Sequence, residues 1–489
     1  MRDDEIRRAL TDANPWWRAR SGADPDQWTA SHRLLRDRAG YDLGYRSDAL
    51  ADLVAAPVGN TLTVLTGPRR AGKSVALIDA AAAFCRRDDV DARQVVHLAC
   101  DGMRDRDLRR ALTLGRELTR SVDRPDPLPR VWLLDEVSTV SGWSEVLKAA
   151  RDGTAFGDDT VVATGSRWPD GAGVVGNLLA GRAGTSDLRR VRQLLPMSFR
   201  DFVTSTRPEL ARPPCVHPAE LQSPQAAEAL DELRYDVDGY DLAWQDYLTC
   251  GGLPRAVAEH VRNGAVSISY LRDLEAWLRR DTDPDGPPES VPLLLAGLVE
   301  RAGSPLSVAG TARSLGYPSR AVLERRLGRL VATFAALWCP QRDDAGRTVA
   351  GSVAKLYLID PLLAWLPAAL RSGMPAPDMT VLSEMALGVA LARAVERLDE
   401  GRWLGGDTIG YLRTGSGNEI DLAPVQVPTG SGIAFAVGLE SKWVDSGWRA
   451  EARVIEARYR RGIVATKSVL DLDHAAWAVP APMVALLLG

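Results

Sequence analysis

From residue 61 onward, short apolar runs alternate with longer stretches in which apolar positions recur at helical spacing. "TLTVLT" (61–66), "RQVVHLA" (93–99), "RVWLLD" (130–135) and "TVVATG" (160–165) read as buried strands, with "LRRVRQLL" (188–195) as a fifth. The alanine-rich "GKSVALIDAAAAFC" and a charged stretch from about 105 to 121 read as helices between them. Strands alternating with helices predict a parallel α/β sheet. Before this block, residues 1–55 are polar and helical in pattern, with tryptophans in "NPWWRAR" and "DQWTASH" as an aromatic anchor.

The pattern then changes. The proline-rich stretch 207–225 reads as an insertion or boundary loop, and 225–282 as helices. "DTDPDGPPES" (281–290) and "RSGMPAPD" (371–378) read as linkers. Between them, "VPLLLAGLVERAG", "SVAGTARSLG" and "SRAVLERRLGRLVAT" predict three helices, and 334–360 two strands around a polar loop. Helix, helix, turn, helix, hairpin is a winged-helix order. Beyond 378 the order is a long helix (379–398), a hairpin of "TIGYLRT" and "NEIDLAPV" across "GSG", a third strand "IAFAVGLESKW", a helix "WRAEARVIEARY" and a strand "RGIVATK".

Composition narrows the class. The chain has 489 residues, 45% hydrophobic and 25% charged, with a formal net charge of −4. At roughly 150 residues per domain this predicts about three domains, and it excludes a uniformly basic nucleic-acid coat. Five scattered cysteines without a C-x-x-C pair argue against a zinc site or disulfide framework. No secretory signal and no apolar run of membrane-spanning length is evident, so the expectation is a cytoplasmic protein without a membrane partner.

"GPRRAGKS" (67–74) matches the phosphate-binding loop pattern and lies between a strand and a helix, the context it requires. Gly67 and Gly72 let the backbone of Gly67, Pro68, Arg69, Arg70, Ala71 and Gly72 curl around the phosphates, with the amide N–H groups of all but Pro68 available to face phosphate oxygens. Lys73 would reach the β- and γ-phosphates, and the Ser74 hydroxyl would ligate Mg²⁺. Asp135 at the end of "VWLLDE" would hold the same ion, and Glu136 would activate the attacking water. Thr164 or Ser166, ending the next buried strand, would orient that water or sense the γ-phosphate. The alternatives are a chance glycine-rich turn, a strand end facing solvent, and a plain strand-to-loop turn.

Together with the phosphate loop, the stretches "LLDEVSTVSGW", "ATGS", "LLPMSFRDF" (194–202) and "YLTCGGLPRAV" (247–257) carry a resemblance. From about residue 45 onward the chain resembles the prokaryotic AAA-type ATPases that carry a C-terminal domain of unknown function with a restriction-endonuclease-like fold. The resemblance implies an α/β protein of five parts. These are a helical lead-in (1–55), an AAA-type P-loop ATPase core (56–206), a helical lid (207–285), a winged-helix domain (286–370) and a restriction-endonuclease-like α/β domain (378–489). It implies ATP and Mg²⁺ as cofactors, and DNA and a second copy of the chain as partners. Arg182, ahead of "PMSF", falls where an arginine finger would lie; the alternative is a solvated surface arginine.

Two further clusters bear on function. Arg320, Arg325, Arg326 and Arg329 lie on or near the third winged-helix helix, with Val322 and Leu323 turned to the core. They would meet DNA phosphates, or form a solvated face. In the last domain Glu440 and Lys442 share one face of a strand, with Asp421 on the preceding strand and Glu384 on the long helix. Asp421, Glu440 and Glu384 would bind a hard divalent cation, and Lys442 would assist attack on a phosphodiester. Ser441 departs from the aliphatic residue usual between acid and lysine. The alternative is a scaffold in which Lys442 only neutralises its neighbours and the domain regulates or assembles rather than cleaves.

Overall fold

The computed structural model describes residues 1–18, 25–120, 129–153, 156–168, 171–184, 187–414 and 417–489. Residue 121, predicted helical, Ala19 and Arg20 of the aromatic segment, and Gly415 and Ser416 of the predicted hairpin turn lie outside them. The chain forms two compact units, 1–195 and 196–489.

The first unit is built on β1 (Thr61–Thr66), β2 (Val95–Ala99), β3 (Val131–Asp135), β4 (Thr160–Gly165) and β5 (Val191–Gln193). All pair in parallel, in the order β2-β3-β4-β1-β5. β1 and β4 are buried along their whole length, as strands covered on both faces must be. The helix Lys73–Cys85 returns the chain from β1 and buries Leu77, Ile78, Ala80, Ala81, Ala82 and Phe84.

The outer edge of β2 is closed by the N-terminal segment. Trp16 and Trp17 both donate their indole N–H to the Val95 carbonyl at 2.9 Å. The Asn14 amide pairs with the His97 backbone in both directions, at 2.8 and 2.6 Å. These side chains satisfy backbone groups that an open sheet edge would leave unpaired.

In the second unit, helices Pro224–Leu233, Val237–Cys250, Pro254–Asn263 and Ile268–Thr282 occupy the stretch predicted as helical. Helices Ser290–Val299, Val308–Ser314 and Arg320–Ala332 follow, then the antiparallel pair β6 (Ala336–Arg342) and β7 (Ala354–Leu358). After the long helix Met379–Leu398 come β8 (Tyr411–Arg413) and β9 (Glu419–Ile420). β6 pairs with β7 on one side and with β8 on the other, giving the order β7-β6-β8-β9. The two predicted hairpins therefore share one sheet.

The predicted single strand 433–443 is divided. Its first part is β11 (Gly432–Phe435), a hairpin partner of β10 (Gln426–Thr429). Its second is β12 (Leu439–Ser441), which pairs in parallel with β13 (Gly462–Thr466), itself beside β14 (Ala476–Pro480). Between the parts, Ala436 donates to Val425 and Val437 to the Pro218 carbonyl, which takes the backbone out of one ladder before it enters the next. The helix Trp448–Tyr459 packs on β13 and β14, with Trp448, Ala452 and Ile455 in the core beside Leu412, Ile420 and Val464. The helix Ala481–Leu488, buried throughout, packs against Met379–Leu398. No helix of the described residues is long and apolar enough to cross a membrane.

The "PMSF" and "GGLP" stretches meet in one knot. Met197 donates to the Gly252 carbonyl at 2.7 Å, and the Tyr247 hydroxyl donates to the Met197 carbonyl at 3.1 Å. Gly252 in turn donates to Asp360 at 2.8 Å, while the other Asp360 oxygen accepts from Leu362 at 2.9 Å and caps the helix Pro361–Leu370. Burial raises the Asp360 carboxyl to about 6, against the lowering effect of these backbone donors and Arg393.

A carboxyl raised in the folded state stabilises the fold below its ordinary value, and that contribution is lost as pH rises through the raised one. Relative to Asp360→Asn, the parent should therefore lose on the order of 3 kcal/mol between about pH 4 and pH 6. Denaturant unfolding of both proteins across that range measures it, and parallel pH curves would refute the assignment.

Candidate active site

β1 ends at Thr66 and the chain turns sharply at Gly67, whose φ is +148°. A Cβ there would lie 2.0 Å from the Leu194 carbonyl oxygen, so only glycine fits. Pro68, Arg69, Arg70 and Ala71 complete the loop. Arg70 has φ +68° and Gly72 φ +105°, and the helix begins at Lys73 with Ser74 as its second residue. Lys73 is buried, and its ammonium donates to the carbonyls of Gly67 and Pro68 at 2.8 and 2.9 Å. Its charge is held inside the curl of the loop, at the end of the helix whose dipole favours anions.

The sheet order sets β4 between β1 and β3, so the ends of all three strands converge beside the loop. Such carboxyl-terminal strand ends are where ligands bind in open α/β sheets. Asp135 ends β3. The Thr164 hydroxyl donates to Asp135 Oδ1 at 3.0 Å and accepts from the Glu136 backbone N–H at 2.9 Å. Glu136 stands in the left-handed region at φ +55°. Its Oε1 accepts from the Ser166 hydroxyl and, at 3.2 Å, from the Ser166 backbone, with Arg69 at 4.0 Å. Thr164 and Ser166 are fully buried. They brace the two acids, Thr164 on Asp135 and Ser166 on Glu136. The donor set suits a nucleotide with its ion: loop amides and Lys73 for phosphate, and the hard oxygens of Ser74 and Asp135 for Mg²⁺.

Arg182 forms a two-point ion pair with Asp152, at 2.6 and 2.8 Å, and donates to the Ala180 carbonyl. Its guanidinium is thus tied within its own unit.

In the second unit, the residues predicted to form a metal centre are arranged differently. Glu440 lies on β12, and Lys442 just beyond it donates to Glu440 Oε1 at 3.2 Å, as their shared face requires. The Asp421 backbone donates to Glu440 Oε2 at 3.1 Å, and Ser441 donates to Asp421 Oδ2 at 3.0 Å. Glu384 joins neither. Its Oε1 accepts from Tyr357 at 2.7 Å and from Lys355 at 3.0 Å. Lys355, completely buried on β7, also donates to Asp421 Oδ1 at 2.7 Å and pairs with Glu419 at 2.8 Å. Among the described residues no three acidic, histidine or cysteine side chains are grouped so as to hold a metal ion. Within the expected set, Asp421 is engaged by Lys355 and the Ser441 backbone, Glu440 by Lys442 and the Asp421 backbone, and Glu384 by Lys355 and Tyr357.

Burial, and after it the Asp421 charge, push the Glu440 carboxyl up to about 8, although Lys442 pulls it down. Burial opposes the charge on Lys355, but Asp421, Glu384 and Glu419 outweigh it and raise the ammonium well above its ordinary value.

Residues 59–203 match a family described as an AAA domain. This part of the chain is a domain of the AAA type. No curated protein matches the chain. The solved structures that are similar include the following two. A Walker-type ATPase of Pyrococcus abyssi is 15% identical, with 63% of this chain and 91% of that chain covered and a TM-score of 0.35. The RuvB Holliday-junction branch-migration motor of Thermotoga maritima is 16% identical, with 69% and 96% covered and a TM-score of 0.28.

Outside the AAA domain, the arginine helix Arg320–Ala332 is turned differently from the sequence reading. Arg326 pairs with Asp283 at 2.5 Å and lies over the Tyr317 ring at 4.7 Å. Arg329 donates to the Thr282 carbonyl at 3.0 Å. Arg320 pairs with Glu324 on the surface, and Arg325 is exposed. Leu323 is buried as expected, while Val322 is only half-buried. Two of the four arginines are spent on internal contacts.

Sequence reasoning missed Lys355, Glu419, Tyr357 and Asp360. One signal for Lys355 was available: "VAKLYLID" reads as a buried strand with a single lysine inside an apolar run, in an arginine-rich chain. A buried ammonium needs anions.

Proposed function

We propose that the protein binds and hydrolyses ATP, and that the carrying observation is the convergence of Lys73, Asp135, Glu136, Thr164 and Ser166 at the ends of three adjacent strands. In this reading the loop amides and Lys73 hold the phosphates, and Ser74 with Asp135 holds Mg²⁺. The ion would neutralise charge on the terminal phosphates. Glu136, oriented by Ser166, accepts the proton of the attacking water. Thr164 links the two acids, so a displacement at Asp135 reaches the backbone of Glu136.

Residues 207–285 are read as a helical lid, 286–370 as a winged-helix domain and 378–489 as a restriction-endonuclease-like domain. The last is proposed as a nucleotide-switched regulatory or assembly element that does not cleave, with a second copy of the chain as partner. What supports this over a nuclease is the buried Lys355 ammonium, which lies 2.7 Å from Asp421 and 3.0 Å from Glu384, between two acids that would otherwise share a metal ion. A contact with DNA would draw on Arg320 and Arg325, since Arg326 and Arg329 face inward.

The test is Lys73→Ala, expected to weaken ATP binding by about 10- to 100-fold, the worth of hydrogen bonds from a charged donor. Lys442→Ala should leave ATP turnover unchanged, because the nucleotide groups all lie within residues 1–195. Equal turnover in folded Lys73→Ala would reject the assignment. Nicking of supercoiled plasmid in Mn²⁺ by the parent, lost in Lys442→Ala, would reject the non-cleaving reading.

A further inference from the structure

The Lys355 ammonium has three N–H donors, and three carboxylates surround it: Asp421 at 2.7 Å, Glu419 at 2.8 Å and Glu384 at 3.0 Å. The ammonium donates hydrogen bonds to Asp421 and Glu384 and forms an ion pair with Glu419. The side chain is wholly buried, where an isolated ammonium would be very unfavourable, and where three acids without a cation would repel one another. Tyr357 donates to Glu384 from the same strand as Lys355, and the Tyr411 ring lies 5.7 Å from the ammonium. The carboxylates come from the helix Met379–Leu398, from β9 and from the residue after β9, whereas the cation comes from β7. The order β7-β6-β8-β9 brings β7 and β9 into one sheet, and the helix Met379–Leu398, which carries Glu384, packs against β7.

We propose that Lys355 is a tethered internal cation standing where a divalent metal would otherwise sit among Glu384, Glu419 and Asp421, and that it bolts β7 to the carboxylate-bearing elements. An ammonium at 2.7–3.0 Å fills the space that oxygen-ligated Mg²⁺, Mn²⁺ or Ca²⁺ would take at shorter range. The site is therefore complete without metal. This rests on the non-cleaving reading of residues 378–489, but cation binding and DNA cleavage are separate measurements and fail separately.

The experiment uses the full chain without nucleotide and Tb³⁺ as the probe, with Tyr357 and Tyr411 as sensitisers. Lys355→Ala removes the ammonium and leaves the acids. It should bind Tb³⁺ at least about 100-fold more tightly than the parent, since a unit charge some 4 Å away is removed. Excess Mn²⁺ should compete this emission away, and Asp421→Asn added to Lys355→Ala should abolish it. A folded Lys355→Ala protein with no gain in emission overturns the proposal. Should Lys355→Ala not fold, the parent and Asp421→Asn decide: equal emission supports the internal cation, and emission from the parent that Asp421→Asn removes overturns it.

Discussion

Glu136→Gln is expected to bind ATP with the affinity of the parent and to turn it over about 100- to 10,000-fold more slowly, the range for loss of a positioned general base. The phosphate-holding groups are untouched: Lys73 stays on its loop carbonyls and Asp135 keeps its bond from Thr164. A glutamine carbonyl can still accept from the Ser166 hydroxyl and backbone, which now bond Glu136 Oε1, so the side chain keeps its place. What disappears is the capacity to take a proton. Equilibrium binding of a labelled nucleotide, beside single-turnover hydrolysis on the same preparation, separates the two effects. A parallel loss of affinity and rate would show that Glu136 holds the nucleotide or its ion instead.

Gly251→Ala should destabilise the second unit by on the order of 3 kcal/mol or more, which places it among severe substitutions. Two effects act together. The backbone at Gly251 has φ +71°, where a Cβ is strained. That Cβ would also lie 1.9 Å from Asp360 Oδ1, the oxygen that caps the helix Pro361–Leu370 through Leu362. Asp360 is fully buried and cannot swing into solvent, so either the cap or the turn must give way. Urea unfolding followed by far-UV circular dichroism reads this directly, and a midpoint equal to the parent's would mean that the turn relaxes without cost.

The candidate nucleotide site was readable as a pattern because its residues are local. Eight consecutive residues form the loop, and the apolar runs ending in Asp135 and in Thr164–Ser166 are short, buried strands whatever their neighbours. Strand-length runs and helical periodicity are properties of contiguous segments, and they placed β1 to β5 and the helices of 225–332 close to where they lie. What the runs could not carry was lateral order. That β4 lies between β1 and β3, and so makes Thr164 the brace between Asp135 and Glu136, depends on β4 pairing Thr160 with Val131 of β3 and with Thr61 of β1, far earlier in the chain.

Where an outcome depends on contacts between distant segments, only the tertiary structure decided it. "IAFAVGLESKW" is apolar enough for one long strand, yet Val437 is drawn to the Pro218 carbonyl and the run breaks into β11 and β12. Arg326 and Arg329 have a spacing that suits a phosphate-facing stripe, but Asp283 and the Thr282 carbonyl lie on the inner side of that helix and claim them. Asp421, Glu440 and Lys442 have the spacing of a metal-dependent nuclease, and that spacing survives in the Glu440–Lys442 contact. The cation beside Asp421 comes from Lys355, 66 residues earlier in the chain. A single sequence fixes side-chain periodicity along each strand, but which strand supplies the opposing charge is set by how the strands pair.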